Sequence, residues 1–515
     1  MRTEIWSSLR ALLSEAAESG AARGAAEELE RIAQSSDDEL LSLLVMLREF
    51  VSPNPAVDEM LERTFSALGQ RIASPAAGSR TIDDRLVGEL LFLETRLFPQ
   101  RRSRAMLLRA LAESNSETAL QALADRLVLQ PLPDQASAVT AMAPLFRREN
   151  LDWTALFPRL LDTLEFAATA VITLDFTNFL VREHLAIQHP ATERSRDLIQ
   201  LLGALTQRLH GLEERPPQTA EEARRVGQQV NESVGLIISV IDAVALIGDP
   251  DAVGKLRQAI ELRHRRIRTE AAAALIRLGD AQIGREHLAE LAKFPIARLR
   301  AIAYADELEV LDAIDDQYRD ESARAEAELV CWLADSAQFG FPPRQCELVD
   351  QRTQYWPGYE EPVQCFLFRF EYTLDEGVYS NIGLVGPATF AFSADLADLP
   401  IDDIYSAFAG WLADHEEIFE IRAEQFTEPL RAECARLERR LRDDGFTQIE
   451  PQRLGYFFGD RVLIARAQRQ GEPGTAVADA VESAWYPSGR GNRPIGPIEG
   501  FSIYKGRKLL RTFNP

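Results

Sequence analysis

Two short motifs recur along the middle of the chain, and a recurrence of that kind restricts the fold more than any other feature. Ile247-Gly248-Asp249 returns as Leu278-Gly279-Asp280, and Arg266-Ile267-Arg268 returns as Arg298-Leu299-Arg300. The two shifts nearly agree, at 31 (278 − 247) and 32 (298 − 266). Between these anchors Ala271, Ala274, Leu275 and Leu278 fall on one helical face, with small residues that allow close packing. Each unit reads as helix, turn, helix, closed by a Gly-Asp turn. A helix pair of this size cannot bury its apolar face alone, so neighbours must stack.

With so short a period, residues 245–310 resemble the HEAT-like repeats first named in phycobilisome lyases. The chain as a whole resembles a class of bacterial HEAT-repeat proteins with a helical N-terminal half and an α+β C-terminal module. The resemblance implies a mostly α protein: a HEAT-like α-solenoid followed by a C-terminal α+β domain. It also implies a binding scaffold, with bilin lyase-like chromophore handling as an alternative.

The flanking sequence agrees with that outline. Residues 1–244 read as a helical region, irregular or a degenerate solenoid. Leu40, Leu43, Leu44 and Leu47 form one stripe after a Ser36-Asp37 cap, and a second helix runs from Val57 to a stop at Gly69. Further helices are expected near 102–113, 116–129, 134–147 and 154–165, and after the Thr219 cap. Breaks are expected at Ser52-Pro53-Asn54-Pro55, at 74–79 and at Arg215-Pro216-Pro217. The HEAT-like repeats occupy 245–340.

From 341 to 515 the pattern becomes that of an α+β domain. Phe366, Phe368, Phe370 and Tyr372 alternate with Cys365, Leu367, Arg369 and Glu371, predicting a half-buried strand with one aromatic face. Asp375-Glu376-Gly377 turns it into a return strand over 378–385, and Cys346–Tyr355 supplies a third strand. A helix after Pro400 carries Ile404, Phe408, Trp411, His415 and Ile418. Another follows the Thr427 cap and stops at Gly445. A hairpin about Gly459-Asp460 fits a type II′ turn. The tail, 501–504 and 508–511, reads as a second hairpin about Lys505-Gly506-Arg507.

A net charge of −23 repels phosphate backbones, which disfavours nucleic acid as a partner and a HEAT-fold DNA glycosylase as a reading. The longest apolar run, Val234–Gly248, is short for a membrane span, so no membrane is expected. No signal peptide is evident, and Cys331, Cys346, Cys365 and Cys434 form no C-x-x-C pair. A reducing cytoplasm is the expected compartment.

Nucleotide, hydrolase and zinc-protease motifs are missing, so a non-catalytic protein with no cofactor and no metal is the leading expectation. Its partner would be another protein. Asp414-His415-Glu416-Glu417 offers too few converging ligands for a metal, and His415 shares a face with Trp411 and Ile418, as a core or boundary histidine would. Two basic clusters remain. Arg263, Arg265, Arg266 and Arg268 are candidates for partner binding, or pair with acids such as Asp249 and Asp251. Arg490 and Arg493, in a Gly- and Pro-rich loop before a basic tail, are candidates for anion binding in an anion-binding or enzymatic module. The plainer alternative is that these arginines pair with acids of the helical region.

Overall fold

The computed structural model describes the chain except residues 1–4, 23–24, 52–53, 75–81, 99, 148–150, 215–218, 375–376, 489–492 and 515, and the side chains of 220, 223 and 228. The breaks expected at Ser52-Pro53, 75–79 and 215–217, the Asp375-Glu376 turn, and Arg490 lie outside the described residues. Two compact units divide between His287 and Leu288.

The first unit is helical. It holds α1 (Ser7–Ser19), α2 (Ala26–Gln34), α3 (Asp37–Leu47), α4 (Pro55–Ala73), α5 (Asp84–Glu94), α6 (Arg102–Ala112) and α7 (Glu117–Leu129). These are followed by α8 (Gln135–Met142), α9 (Ala167–Arg182), α10 (Ser195–Glu214), α11 (Ala220–Ile247), α12 (Val253–Ala259) and α13 (Arg265–Arg277). The unit boundary falls within α14 (Ala281–Ala292). Packing is dominated by the helix next but one. Thus α2, α4, α6 and α8 form one succession, α3, α5 and α7 a second, α9, α11 and α13 a third, and α10 lies on α12.

Local chemistry accounts for most of these boundaries. Ser36 and Glu39 form a reciprocal capping box on α3, and Thr219 accepts the Glu222 N–H at the start of α11. Gly69 does not stop α4. It is buried inside the helix, which runs on to Ala73. The helix expected over 154–165 is replaced by two 3-10 turns, Trp153–Leu156 and Arg159–Glu165, on either side of Pro158, whose missing N–H interrupts the α-helical ladder. In α11 the apolar stretch is longer than Val234–Gly248. The segment Arg224–Ile247 is long and apolar enough to cross a membrane, and half of its apolar window is packed inside the protein.

A buried polar chain ties α11 to α9. The His189 Nδ1 accepts the Ala191 N–H (3.1 Å), so its Nε2 donates to Asn178 Oδ1 (3.0 Å). Asn178 donates to the Ser239 carbonyl, and Ser239 Oγ to Asp175. Burial holds the His189 imidazole down at about 4, against about 6.5 in an unfolded chain. The unfolded chain therefore binds the extra proton first. This contribution to stability is complete above about pH 6.5 and is lost as pH falls toward 4, by about 3 kcal/mol from a shift of that size. Burial raises the Asp175 carboxyl, which works in the opposite sense. Substitution His189→Gln should flatten the acid side of the urea-midpoint profile followed by helical circular dichroism. A gap between wild type and variant that is equal at pH 4.5 and 7.5 would contradict this account.

The second unit begins with α15 (Pro295–Glu307), α16 (Asp316–Arg319) and α17 (Glu321–Leu333). Strands β1 (Gln345–Gln354), β2 (Val363–Leu374), β3 (Gly377–Val385) and β4 (Phe390–Ala391) make an antiparallel meander. Next come α18 (Ile401–Leu412), β5 (Ile418–Arg422), α19 (Glu428–Asp443), β6 (Phe446–Phe457), β7 (Asp460–Arg469), β8 (Glu472–Ala478), β9 (Ser483–Pro487) and α20 (Pro497–Phe513). Strands β5 to β9 form a second antiparallel sheet in sequential order.

Side-chain alternation orders these elements into layers. In β2, Phe366, Phe368, Phe370 and Tyr372 pack with Leu329 and Leu333 of α17, while Cys365 and Leu367 face a core shared with α18, α20 and the second sheet. In β7, Val462 and Ile464 join that shared core, whereas Leu463, Ala465 and Ala467 meet Cys434, Leu437 and Leu441 of α19. The aromatic strand alternates as expected along Arg369–Thr373, but Cys365–Phe368 are buried on both faces, because helices lie on either side of that part of its sheet.

Three further expectations are corrected. The hairpin at 456–464 is present, but its turn is Phe458-Gly459 with φ of 45° and 88°, the type I′ pattern. The helix after Pro400 ends at Leu412, so His415 lies in the following turn and Ile418 opens β5. The tail is helix α20, not a hairpin. Pro497 stands at its start, Glu499 accepts the Gly496 N–H (3.0 Å), and Phe501, Tyr504 and Leu509 form its buried face.

The recurring motifs share local backbone geometry. Gly248 and Gly279 both adopt left-handed backbone after a helix (φ 79° and 90°). Glu309 does the same after α15 (φ 55°), and the Asp280 and Val310 N–H groups reach back to the Leu275 and Ala305 carbonyls in one pattern. Because α13 begins at Arg265 and α15 at Pro295, the two helices register start to start, which aligns Arg268 with Arg298. The sequence match of Arg266 to Arg298 is therefore two positions out. In both helices the aligned arginine donates from Nε to a carbonyl of the preceding segment, Ile260 (3.1 Å) and Ala292 (2.8 Å).

Candidate partner-binding groove

In α13 the burial of Ile267, Ala271, Ala274 and Leu275 turns Arg265 and Arg266 to the opposite, exposed side. Arg263 is exposed in the preceding turn, and its backbone N–H donates to Glu213 Oε1 of α10 (2.8 Å). Arg268 is different in kind. It is half-buried, bonded to the Ile260 carbonyl, and its Nη2 lies 3.5 Å from His287 Nδ1. It acts as an internal brace. Asp249 is not held by this cluster, but accepts from Ser195 Oγ and the Asp251 N–H. His264, half-buried between the arginines, is held below its usual range by burial and then by Arg266.

The first unit also holds a groove that the sequence did not reveal. It lies between α10 and α12, has a volume of about 810 Å³, and is lined by Gln207, His210, Lys255, Gln258 and Glu261 among others. Gly203 makes room for it. A Cβ there would stand 3.0 Å from Lys255 Cε, so the glycine lets the lysine stem lie across α10. Glu261 lines the groove two residues before Arg263, whose backbone N–H bonds Glu213 near the end of α10, whereas Arg266 lies close enough to Asp175 of α9 to favour its charged form. Arg257, also in the lining, is paired with Asp280 (2.7 Å). No periodicity marks such a groove in sequence, because its residues are polar positions on two helices.

The second candidate pair is not brought together within the described residues. Arg490 lies outside them. Arg493 is exposed, and its carbonyl accepts the Asp395 N–H (2.9 Å). The basic tail finds its acids inside the second unit rather than in the helical region. Arg507 pairs with Asp403 (2.8 Å), and Lys508 with Asp479 (3.2 Å) and Asp460 (3.6 Å). Lys505 lies over the Phe501 ring.

His415 is exposed, accepts the Glu417 N–H on Nδ1 and touches the Phe458 ring, so it is neither a core nor a boundary residue of a helix. Among the described residues no three His, Cys, Asp or Glu side chains converge in a geometry that could hold a metal ion. Burial pushes the Cys346 and Cys434 thiols up to about 12 and Cys365 to about 11, which keeps all three protonated at neutral pH. No protein-family model, curated protein or solved structure matches the chain.

Proposed function

We propose that the protein is a non-catalytic, cytoplasmic scaffold of HEAT-like repeats that binds an acidic segment of a partner protein along the α10–α12 groove. One observation carries the reading. On a chain of net charge −23, Arg263, Arg265 and Arg266 form an exposed basic cluster, and Arg263 follows by two residues Glu261 in the lining of a groove that also includes Lys255. Charge complementarity of this kind selects acidic partners and speeds their encounter. The next-but-one packing of α9, α11 and α13, and the shared left-handed terminations after α11, α13 and α15, support the HEAT-like assignment. Small residues at Ala271–Ala274 suit close stacking.

The test uses a fluorescent Glu-rich dodecapeptide against the full chain, and affinity capture from a lysate of the source organism alongside it. With Arg263→Glu, Arg265→Glu and Arg266→Glu combined, peptide affinity should fall tenfold or more, the equivalent of about 1.4 kcal/mol. The loss should shrink at high salt. Equal affinity for wild type and variant at low salt would refute the assignment.

A further inference from the structure

The α+β domain contains one arrangement twice: a helix, an antiparallel meander of four strands and a closing helix. The first module is α17, β1 to β4 and α18, and the second is α19, β6 to β9 and α20. Three correspondences fix the match. The closing helices cross reciprocally, since a Cβ on Gly410 would stand 1.8 Å from the Ser502 carbonyl oxygen, and one on Gly506 1.8 Å from that of Ser406. In the second strand of each meander, Phe366 and Phe368 pack with α17 as Leu463 and Ala465 do with α19, while Leu367 and Ile464 enter the shared core. The first strand of each bulges at the same place. Val349 is the extra residue between the Leu348–Phe368 and Asp350–Leu367 pairs, and Gln452 between the Pro451–Ala465 and Arg453–Ile464 pairs.

The modules differ at one edge. Strand β5 covers the outer edge of β6 beyond the bulge, pairing Ile418–Arg422 antiparallel with Arg453–Phe457. The Phe458 N–H extends that pairing by donating to the Glu417 carbonyl (3.2 Å). In the first module the corresponding stretch is Asp350–Gln354, and β1 is the end strand of its sheet. At Tyr355, the counterpart of Phe458, the Asn514 side-chain amide does what a strand would, accepting the N–H (2.8 Å) and donating to the carbonyl (3.1 Å). Alternate residues of an antiparallel strand present N–H and C=O to the same side. Gln351 and Thr353 therefore turn theirs outward, as Tyr355 does. Among the described residues neither forms a backbone hydrogen bond outside the β1–β2 ladder. Both are exposed, and Leu348 and Val349 beside them are 40% and 37% exposed.

The pairing of β5 also specifies what would fit. Transferred onto β1, the places of Phe419 and Ile421 fall opposite Thr353 and Gln351, and those of Glu420 and Arg422 opposite Arg352 and Asp350. An acid and a base two residues apart thus meet half-buried side chains of opposite charge, the cross-strand pairing that stabilises a sheet.

We propose that the outer edge of β1 takes up a short extended segment of a partner protein as an added antiparallel strand, with an acid and a base two residues apart facing Arg352 and Asp350. Main-chain bonds to Gln351 and Thr353 supply the affinity, and the two charges fix the register. The site is separate from the α10–α12 groove.

The probe is a fluorescent peptide copying residues 416–424, titrated against the full chain by anisotropy, with hydrogen exchange measured on the same complex. It should bind saturably at one site and protect amides in fragments covering 346–355. A probe carrying Glu420→Arg with Arg422→Glu should bind about tenfold more weakly, since both cross-strand pairs become repulsive. Thr353→Pro in the full chain removes an outward N–H and no ladder bond, so it should abolish binding with the thermal melt unchanged. Should that variant melt early, the charge-exchanged probe decides alone. The proposal is overturned by a lack of saturable binding, by equal affinity for the two probes, or by protection confined to other fragments. Sedimentation of the free chain as a dimer with 346–355 already protected would overturn it too, by assigning the edge to a second copy.

Discussion

Gly410→Ala should lower the stability of the α+β domain by about 3 kcal/mol, the upper end of what overpacking a tight core costs. The direction is the opposite of intrinsic propensity, since alanine in a helix interior is favoured over glycine by about 1 kcal/mol. The new methyl group would stand 1.8 Å from the Ser502 carbonyl oxygen and 2.9 Å from the Gly506 N. Both are backbone atoms, so no rotamer change relieves the clash. The helices α18 and α20 must separate, and Ile404, Phe408, Phe501 and Tyr504 lose their packing in the core shared by the two sheets. Gly88→Ala is the control. Gly88 is exposed in α5 with no atom near its added Cβ, so the same exchange should stabilise by up to about 1 kcal/mol. Hydrogen exchange of peptides spanning 401–412 and 497–513 reads the domain separately from the rest of the chain. Protection in Gly410→Ala equal to or above that of wild type would refute the close-crossing account.

That crossing also explains why the tail reads as a hairpin in sequence. Lys505-Gly506-Arg507 between apolar pairs has the composition of a turn, and a glycine inside a helix counts against the helix when only local preferences are weighed. Here Gly506 is selected by Gly410, a neighbour far away along the chain, which no local pattern records. The same limit hides the cavity between α18, α20 and β1. Gln354, Tyr405 and Arg511 come from three elements, and each alone reads as an ordinary strand or helix residue. What is legible follows from periodicity and caps: the strands at 346–355, 365–372 and 378–385, the Ser36 and Thr219 helix starts, and the stop at Gly445 (φ 87°). The exposed arginines are legible because charge runs are read directly, although only the structure separates the bracing Arg268 from Arg263, Arg265 and Arg266. The repeat shows itself through its Gly-Asp turns, and the arginine register slips by two because both arginines of each motif match equally well.

The helical unit has a point of comparable sensitivity. Glu94 is 0% exposed at the end of α5 and accepts from Arg104 Nε (2.8 Å) on α6 and Arg126 Nε (2.6 Å) on α7. Arg104 is itself 0% exposed and also donates to the Gln130 and Pro131 carbonyls, so one carboxylate binds three successive helices together. Burial draws the Arg104 guanidinium below its ordinary range, and hydrogen bonding to Glu94 opposes that shift. Glu94→Gln removes the anion while keeping shape, leaving a cation inside a low-dielectric core. The expected cost is about 3–5 kcal/mol, because an uncompensated buried charge is far worse than no charge. Arg126 is 19% exposed along its side chain and can turn to water, so Arg126→Met should cost less than Glu94→Gln. The paired replacement of Glu94 and Arg104 by methionine removes both charges and should recover most of the loss, since well-packed apolar residues commonly equal a buried ion pair. Urea titration followed by exchange in peptides 84–94 and 117–129 measures all three. Equal losses for Glu94→Gln and the paired methionine variant would mean that shape, and not charge compensation, sets the stability at this junction.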